Sequence, residues 1–271
     1  MQDKEWILTV WGVRGSVPVP SVSMMEYGGN TSCFSIEAED ELIILDAGSG
    51  LVPLGVQLAR QNRPQRAHIL LSHLHLDHLI GLFGFRPFHN PDMEFHLYGE
   101  VGLRQRLERL AGPPYWPLEL KDYPARLVLH EVKAGERFSL PGDSSLTVRT
   151  LRGNHPNQSL LYRLESGEKS ITYTLDCELN GGMSAALAAF AQKTNLLIWD
   201  ANFAPPDLRP GWGHSTWEQG IALGRASGAG TVLMAHYSWE YNDDFLREQE
   251  RLAKAADPAV CFAKERMEIR L

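Results

Sequence analysis

Four side chains that can bind a metal ion lie within six consecutive positions of this sequence: His73, His75, Asp77 and His78. An apolar run typical of a β-strand, residues 67–71, comes just before them. Because His73 and His75 are two positions apart, their side chains project to the same side of an extended chain. A turn at Asp77 would direct the last two ligands toward the same point. A lone histidine is most often a core residue, but this cluster predicts a metal site.

Three more residues of metal-binding type stand at or just after the ends of predicted strands: His155, Asp176 and His236. Taken singly, they have ordinary explanations as a loop residue, a turn former and a capped core histidine. Asp46 also ends a predicted strand, residues 42–45. It is either the N-cap of a predicted helix or a carboxylate that holds a ligand histidine in its working tautomer. We favour the second role, in which Asp46 supports a ligand and is not itself one.

The spacing His-x-His-x-Asp-His resembles the signature of the metallo-β-lactamase superfamily. The similarity covers most of the chain, from Trp-Gly-Val-Arg-Gly-Ser at 11–16 to Tyr237. Within the superfamily, the order of landmarks is similar to the branch of phosphodiesterases and tRNA 3′-end nucleases. The Gly-His-Ser-Thr motif of that branch corresponds to residues 213–216. The resemblance implies an α/β fold, a four-layer αββα sandwich, and the alternating strands and helices predicted in the second half agree with it.

The resemblance also implies a dinuclear metal centre. By this resemblance, one divalent ion is bound by His73, His75 and His155. The other is bound by Asp77, His78 and His236. Asp176 bridges the two ions. Zinc is the expected metal, although mixed nitrogen and oxygen ligands also suit manganese or iron. A water that bridges two such ions loses a proton near neutral pH and becomes the nucleophile, which Asp77 could orient.

One motif departs from the branch. Shortly before Gly-His-Ser-Thr the branch usually carries His-Glu-Ala-Thr-Phe, whereas this chain has Trp-Asp-Ala-Asn-Phe at 199–203. Trp199 replaces the histidine thought to protonate the leaving oxygen, while Asp200 keeps the acidic position. Either His214 takes over as the general acid, or the substrate has a leaving group that needs no acid. The second alternative favours a small activated phosphodiester over RNA.

Two residues are candidate substrate contacts. Arg14 lies in the Gly/Pro-punctuated loop 12–20, which borders the active site in the resembled branch. It either binds a phosphate or is an ordinary solvated charge. Ser215 precedes a predicted helix, residues 216–226, and could cap it with Glu218 completing a capping box. The same helix N-terminus would also suit an anion of the substrate.

A proline-rich segment, residues 85–126, follows the metal-binding cluster and contains a short predicted strand and a short helix. We interpret it as an insertion that either shapes the substrate site or forms a homodimer contact. Tyr115 and Trp116 are candidate interface aromatics, although burial against the domain is the simpler expectation. His89 and His96 have no partner at ligand spacing, so no role is assigned to them.

Composition limits the class of protein. The chain has 271 residues, 44% of them hydrophobic, and no linker or repeat, which predicts one domain over 1–271. Its net charge of −7 disfavours a broad nucleic-acid surface. The N-terminus lacks an apolar targeting segment and no apolar run reaches membrane-spanning length, so we expect a cytoplasmic protein without membrane contact. Three widely spaced cysteines predict neither a disulfide framework nor a zinc finger.

The sequence thus predicts a dinuclear metal-dependent hydrolase of a phosphodiester, with a nucleotide-type or cyclic-nucleotide substrate as its partner. RNA or tRNA processing is the nearer alternative, although the charge does not favour it. Hydrolysis of a lactone or thioester comes next, because the same nucleophile can attack an acyl group. A metal-binding interaction module without turnover is the alternative from a different class.

Overall fold

A computed structural model of the chain describes residues 5–38, 41–61 and 65–271. Residues 1–4, most of the segment expected to lack a targeting signal, lie outside the described residues. Two seven-stranded sheets form the centre of the fold. In spatial order, the first sheet contains β14 (Glu268–Arg270), β1 (Ile7–Gly12), β2 (Cys33–Ala38), β3 (Glu41–Leu45), β4 (Arg66–Leu70), β5 (Glu94–Glu100) and β6 (Arg126–Val132). The second contains β13 (Val260–Phe262), β12 (Thr231–Ala235), β11 (Leu196–Asp200), β10 (Lys169–Thr174), β9 (Ser159–Ser166), β8 (Asp143–Gly153) and β7 (Arg137–Leu140).

The α-helices cover the outer faces of the two sheets. The first sheet packs against α1 (Leu51–Gln61) and α2 (Leu103–Leu110). The second sheet packs against α3 (Gly181–Phe190), α4 (Trp217–Ser227) and α5 (Asp243–Ala256). The described elements therefore stack as helix, sheet, sheet and helix, which confirms the predicted α/β sandwich of four layers. Across the described ranges, no helix combines the length and the apolar character needed to cross a membrane.

Alternation of apolar side chains along the strands explains the two-sided packing. In β3, Ile43 and Leu45 lie in the core between the sheets, whereas Ile44 lies in the second core on the outer face of the first sheet. Leu51 and Leu54, one turn apart on α1, belong to the same outer core as Ile44. Successive strand residues point to opposite faces, so a strand that is apolar at every position is covered on both sides.

The segment 85–126, interpreted from the sequence as an insertion, contributes a strand to the first sheet. Its strand β5 lies inside the first sheet, where it pairs in parallel with β4 on one side and β6 on the other. Phe95 and Leu97 on β5 belong to the outer core, next to α1 and α2. The prolines of this segment flank the strand without interrupting it, so they do not mark it as an addition to the sheet.

Parallel strands bring together, at one edge of each sheet, the segments that carry candidate site residues. Strands β3 to β6 are parallel in the first sheet, and β10 to β13 are parallel in the second. The carboxyl ends of parallel strands meet at the same edge of a sheet, which is the usual location of a site in such folds. The segments after β3, β4, β10, β11 and β12 hold most of the candidate site residues described next, and His155 follows β8.

Candidate metal centre

The structure brings together all seven residues for which metal binding was predicted. They form two groups, and within each group one potential ligand atom per residue lies within 4.8 Å of the others: His73, His75, His155 and Asp176; and Asp77, His78 and His236. A 3₁₀ turn at Leu76–His78 directs the last two motif residues inward, as the sequence predicted. The two groups match the two sets of ligands that the resemblance implied.

Asp176 lies between the two groups with one carboxylate oxygen toward each. Its Oδ2 is 3.7 Å from His73 Nε2 and 3.6 Å from His155 Nε2. Its Oδ1 is 3.2 Å from His78 Nε2 and 3.3 Å from His236 Nε2. A carboxylate in this position can bind two cations at once.

Four buried polar atoms of this centre make no hydrogen bond in the described part of the chain: Nε2 of His73, His78 and His236, and Oδ1 of Asp176. A buried polar group without a hydrogen bond costs about 1–3 kcal/mol, so such groups are rare and call for an explanation. Here the four atoms converge on one another. Imidazole nitrogens and carboxylate oxygens are the ligands that zinc and related divalent cations use, and binding them would satisfy every one of these atoms. The residues present therefore fit a metal centre.

Three residues of the site have a left-handed backbone conformation at the ends of strands. Asp46 follows β3 with φ 56°, Asp176 follows β10 with φ 57°, and His236 follows β12 with φ 63°. This region disfavours residues other than glycine, at a cost on the order of 1–3 kcal/mol each. The sharp change of direction turns each side chain from the sheet toward the shared edge, so the local strain accompanies the convergence of the ligands.

Asp46 holds the candidate ligand His78 in place. Its Oδ2 is 2.7 Å from His78 Nδ1 and accepts hydrogen bonds from Ser72 Oγ and Tyr173 OH at 2.7 and 2.6 Å. Its Oδ1 accepts from the Ser72 backbone N–H at 2.6 Å. A carboxylate on Nδ1 favours the tautomer whose Nε2 carries the lone pair, which is the form that binds a metal. This environment agrees with the supporting role expected for Asp46.

Other ligands are oriented by backbone and hydroxyl groups. His155 Nδ1 lies 3.0 Å from the carbonyl oxygen of Gly213, and His236 Nδ1 lies 3.0 Å from Ser32 Oγ. Gly213 has φ 82°, and a Cβ atom there would be 2.3 Å from His155 Nδ1. The close approach of the two segments therefore requires glycine at this position.

Burial and charge act in opposite directions on the titratable groups of the centre. Burial lowers the pKa of His73 well below its usual value and also lowers the pKa of His236. Burial also acts to lower the pKa of His78, but Asp176, Asp77 and Asp46 outweigh it and raise the pKa well above the usual value. Burial acts to raise the pKa of Asp176, but the surrounding imidazoles hold it well below the usual range. The centre thus keeps its carboxylates ionised, as cation binding requires.

His214 forms an ion pair with Asp200 beside the ligands. Its Nδ1 is 2.8 Å from Asp200 Oδ2, and its ring stacks on that of His236 with centroids 5.2 Å apart. Burial acts to lower the pKa of His214, but the carboxylate of Asp200 raises it to about 9. One potential ligand atom of His214 lies within 4.8 Å of those of Asp176 and His236. The second ring nitrogen can therefore carry a proton at the ligand cluster.

Residues 42–237 match a family described as the beta-lactamase superfamily domain. This chain belongs to that superfamily. The superfamily comprises metal-dependent hydrolases, and its fold implies divalent-metal binding, for which the His/Asp clusters above are present. The predicted membership is confirmed.

Relatives and solved structures agree with membership in the superfamily. The uncharacterized protein Rv1339 of Mycobacterium tuberculosis is 28% identical over 254 residues, covering 89% of this chain and 84% of the relative. Ribonuclease Z of Deinococcus radiodurans is 26% identical over 278 residues, covering 73% of this chain and 83% of the relative.

Among solved structures, the metallo-beta-lactamase fold protein YhfI from Bacillus subtilis has a TM-score of 0.75 at 20% identity, covering 98% of this chain and 99% of that one. The short form of human tRNase Z has a TM-score of 0.70 at 21% identity, covering 97% and 98%. A diphosphatase from the PhnP family has a TM-score of 0.70 at 17% identity, covering 98% of each chain. At these identities the likeness to the solved structures shows a shared fold.

Arg14 does not have the exposed position expected of a phosphate-binding residue. It is fully buried, and its guanidinium donates to the backbone carbonyls of Gly28, Ser238 and Tyr241 at 2.7, 3.3 and 2.6 Å. Asp243 Oδ1 lies 3.9 Å from its Nη2. The Arg14 side chain thus holds its own loop against the loops of Gly28 and Ser238. The structure gives no support for its predicted contact with a substrate phosphate. The loop that carries Arg14 does reach the centre, because the next residue, Gly15, lies against the ring of His236.

Ser215 also has a different role from the predicted one. It is fully buried, and its hydroxyl donates to the Cys177 carbonyl at 2.7 Å and accepts from the Leu179 N–H at 3.0 Å. The N-cap of α4 is Thr216, whose side chain forms a reciprocal capping box with Gln219. The capping box was predicted at Ser215 and Glu218, and each residue is one position before the observed pair, Thr216 and Gln219. Errors of one residue are common at helix boundaries.

Trp199 belongs to the core. Its side chain is fully buried, and its indole N–H donates to the Thr216 carbonyl at 2.9 Å. Because Asp200 reaches His214 beside the ligands, the alternation of a strand directs its neighbour Trp199 to the opposite face. Of the residues compared with the branch motif, Asp200 therefore lies beside the candidate ligands, through its contact with His214, and Trp199 does not.

Several supporting residues were missed from the sequence. Ser72 and Tyr173 hold Asp46, and Ser32 contacts His236. Gly15 was also missed, and a Cβ atom at this position would be 2.6 Å from the ring of His236. Ser72 adjoins the metal motif, which is a usable signal. Gly15 lies in the stretch 11–16 that carries part of the resemblance, which is a second usable signal. Tyr173 and Ser32 lie in separate segments, and no motif cited from the sequence includes them.

Proposed function

We propose that this chain is a dinuclear metal-dependent phosphodiesterase that acts on a nucleotide-type or cyclic-nucleotide substrate. The observation that carries the proposal is the position of Asp176, which offers one carboxylate oxygen to each of two groups of buried histidines. We assign the ions as predicted from the sequence: His73, His75 and His155 to one, Asp77, His78 and His236 to the other, and Asp176 to both. Zinc is the expected metal for this set.

Divalent cations bound at these positions supply an activated water nucleophile and stabilise negative charge on the attacked phosphate. The residues of the chain then position the reactants. Asp77 accepts a hydrogen bond from the Ser16 N–H at 2.7 Å, which fixes its carboxylate at the edge of the centre. We assign it the role of orienting the nucleophile.

His214 is the proposed general acid. Asp200 holds its Nδ1, so its Nε2 is the atom that carries the proton to the leaving oxygen. The positive charge of nearby cations would lower the raised pKa of His214 toward neutrality, where a general acid is most effective. A proton donor beside the centre supports a substrate with an alkoxide leaving group, as in a phosphodiester of a nucleoside.

Similar proteins support phosphate chemistry, because they include a ribonuclease Z and, among structures of the same fold, a tRNase Z and a diphosphatase. Cleavage of RNA is the second candidate, favoured by the match to ribonuclease Z. The net charge of −7 favours a small substrate over RNA, since binding to the RNA backbone depends on positive surface charge.

Hydrolysis of bis-p-nitrophenyl phosphate by the metal-loaded protein tests the proposal, with p-nitrophenyl acetate and a chelated sample alongside. We expect phosphodiester turnover that the chelator abolishes, little esterase activity, and two metal ions per chain by elemental analysis. Esterase activity alone would move the chain to the acyl hydrolases. Bound metal with no turnover of either compound would favour an interaction module. A short tRNA precursor, cleaved far faster than cyclic nucleotides, would favour the second candidate.

A further inference from the structure

A trough opens directly beside the ligand His75. Its inner part, about 190 Å³, is lined by His73 and His75 together with Glu100, Arg106, Asn157 and Gln158. Its outer part, about 640 Å³, shares the last four residues and adds Lys133 and Arg152. The two parts therefore form one continuous space, here called the trough, that runs from the metal centre outward. A volume of this size suits a nucleotide-sized ligand.

The trough carries more positive than negative charge. Arg152 pairs with Glu100 and with the side-chain oxygen of Gln158. Within the described residues, neither Arg106 nor Lys133 has a carboxylate partner. Two cationic groups thus remain unneutralised, although the chain as a whole has a net charge of −7. A local excess of positive charge at the mouth of a site attracts anionic ligands, even when the protein as a whole is negatively charged.

Regular elements position these cations. Arg106 lies on α2, between Leu103 and Leu107, which are buried in the outer core. Arg152 lies in β8, and Lys133 follows β6 directly. The backbone positions of Arg106 and Arg152 are therefore fixed by a helix and a strand, and Lys133 is anchored by the strand that precedes it.

A tight turn connects the trough to the metal centre. The N–H of Gln158 donates to the His155 carbonyl at 2.9 Å, with Pro156 as the first central residue. Asn157 and Gln158 have φ 63° and 69°, a left-handed conformation that residues other than glycine rarely adopt. The turn brings the Asn157 amide to 3.5 Å from His75 Nε2 and brings Gln158 against Arg152. The cationic end of the trough is therefore linked to a metal ligand through two consecutive residues.

We propose that the trough binds a dianionic phosphomonoester on the same nucleoside that carries the scissile phosphodiester. This inference rests on the proposed function and specifies its substrate. The scissile phosphate is held at the metal centre, which leaves the two excess positive charges of the trough for a second group of charge −2. Charged hydrogen bonds from Arg106 and Lys133 favour such a group over a neutral one. A cyclic mononucleotide has no second phosphate and would leave these cations unused.

Two pairs of chromogenic substrates test the proposal. One pair is thymidine 5′-p-nitrophenyl phosphate with and without a 3′-phosphate, and the other is thymidine 3′-p-nitrophenyl phosphate with and without a 5′-phosphate. The leaving group is the same within each pair, so the ratio of kcat/KM values reports only the added phosphate. We expect a ratio of about ten or more in at least one pair, as one or two charged hydrogen bonds would give. Ratios near one in both pairs would overturn the proposal.

Variants of the trough sharpen the test. Arg106→Ala and Lys133→Met should each bring the ratio close to one, whereas Glu100→Gln should increase it by releasing Arg152 from its partner. Arg104→Ala is the matched control, because Arg104 lies on the same helix, pairs with Glu108 and does not line the trough. An equal change of the ratio in Arg104→Ala and Arg106→Ala would assign the preference to general surface charge and overturn the trough as its origin.

Binding of products separates this inference from the proposed function. Calorimetric titration of the metal-loaded protein should show tighter binding of thymidine 3′,5′-bisphosphate than of either monophosphate, with the difference lost in Arg106→Ala. No hydrolysis of any of the four substrates, with this binding preference intact, would refute phosphodiesterase activity but not the anion site. Hydrolysis without a binding preference would refute only the anion site. A 3′-methyl phosphate that binds as well as the 3′-phosphate would overturn the dianion as the preferred group.

Discussion

Histidines form two groups in this molecule. The first group comprises all the histidines of the candidate metal centre, from both ligand sets, at the ends of strands. The second lies within three neighbouring strands of the first sheet: His68 on β4, His96 on β5 and His130 on β6. Its rings are side by side, with centroids 5.2 Å apart for His68 and His96 and 5.1 Å apart for His96 and His130. Both groups are largely buried and rich in imidazole, yet their ring nitrogens have different surroundings.

In the second group, both ring nitrogens of His68 and of His96, and one of His130, have partners within the protein. His68 Nε2 is 3.2 Å from a Glu41 oxygen, and His68 Nδ1 is 3.4 Å from the hydroxyl of Tyr98. His96 contacts Glu94 through Nε2 at 2.6 Å and His130 through Nδ1 at 2.8 Å. In the metal centre, by contrast, Nδ1 atoms have partners while several Nε2 atoms face one another without any in the described structure. Convergent nitrogens without partners, and not the number of histidines, distinguish a metal site from a polar core.

Backbone conformation explains the contrast. Neighbouring strands hold their side chains about 5 Å apart and parallel, so rings in the interior of a sheet stack without converging. At the strand ends the left-handed conformations of Asp176 and His236 break this regularity and turn the side chains toward a common point. The same residue type is therefore placed as a packed core residue or as a candidate ligand according to its position along the strand.

The largest effect should come from removing the residue shared by both ligand sets. Asp176→Ala should lower the metal content from two ions to one or fewer per chain and reduce phosphodiester hydrolysis by about a thousandfold or more, since both cations lose a ligand. His96→Ala, from the second group, should keep both ions. Elemental analysis and kinetics on the two variants measure this. Unchanged metal content in Asp176→Ala would remove the difference drawn between the groups.

His214 resembles the second group in having a carboxylate on one nitrogen, but it lies beside the ligands. His214→Ala should reduce hydrolysis of a phosphodiester with a methoxide leaving group by about a hundredfold or more. Hydrolysis of a p-nitrophenyl phosphodiester should fall much less, because only the poor leaving group needs a proton. Rates for a series of leaving groups measure this. Equal losses across the series would show that His214 has a structural role only, like the histidines of the second group.

The carboxylates behind the two groups can be compared directly. Asp46→Asn replaces an acceptor of hydrogen bonds behind His78, and we expect metal affinity to fall by about 10–100-fold. Glu41→Gln makes the matched change behind His68, and should lower the free energy of unfolding by about 1–2 kcal/mol without changing metal affinity. Metal titration and urea unfolding on both variants measure this. Loss of metal affinity in Glu41→Gln would join the two groups in one network.

The sequence predicted the fold class and pointed to seven candidate ligands that the structure brings together, because metal chemistry restricts the residue types at the ends of strands. It could not predict side-chain direction in irregular loops. Arg14 and Ser215 occupy the expected places along the chain, but their polar atoms point into loop carbonyls. Loop direction depends on tertiary contacts between distant segments, which local patterns do not contain.

The trough shows a second limit of the sequence. Its cations, Arg106, Lys133 and Arg152, come from a helix, a loop and a strand separated by tens of residues. No local motif joins them, and each alone reads as a solvated surface charge. The segment 85–126 was expected either to shape the substrate site or to form a homodimer contact. Arg106 on its helix α2 lines the trough, and its strand β5 is part of the sheet.

The smallest effect concerns acid stability in the second group. Burial lowers the pKa of His68 to about 3, with the neighbouring charges of His96, Arg66 and His130 acting in the same direction. In the unfolded chain its pKa is about 6.5. Between these values the unfolded state binds a proton that the folded state does not, so the free energy of unfolding falls as the pH decreases from about 6.5 toward 3. The slope from this one group is up to about 1.4 kcal/mol per pH unit, and above pH ~6.5 it contributes nothing.

His68→Gln should therefore make the loss of stability between pH 7.5 and pH 5 smaller, even if it lowers stability at both. Urea unfolding of the chelated wild-type protein and variant at the two pH values measures the difference in slope, which does not depend on the absolute stability of the variant. Chelation removes the contribution of metal binding from both samples, and the remaining histidines and carboxylates titrate in both. Equal slopes would show that His68 accepts a proton in the fold. The second group would then be a titrating site and no longer a neutral counterpart to the metal centre.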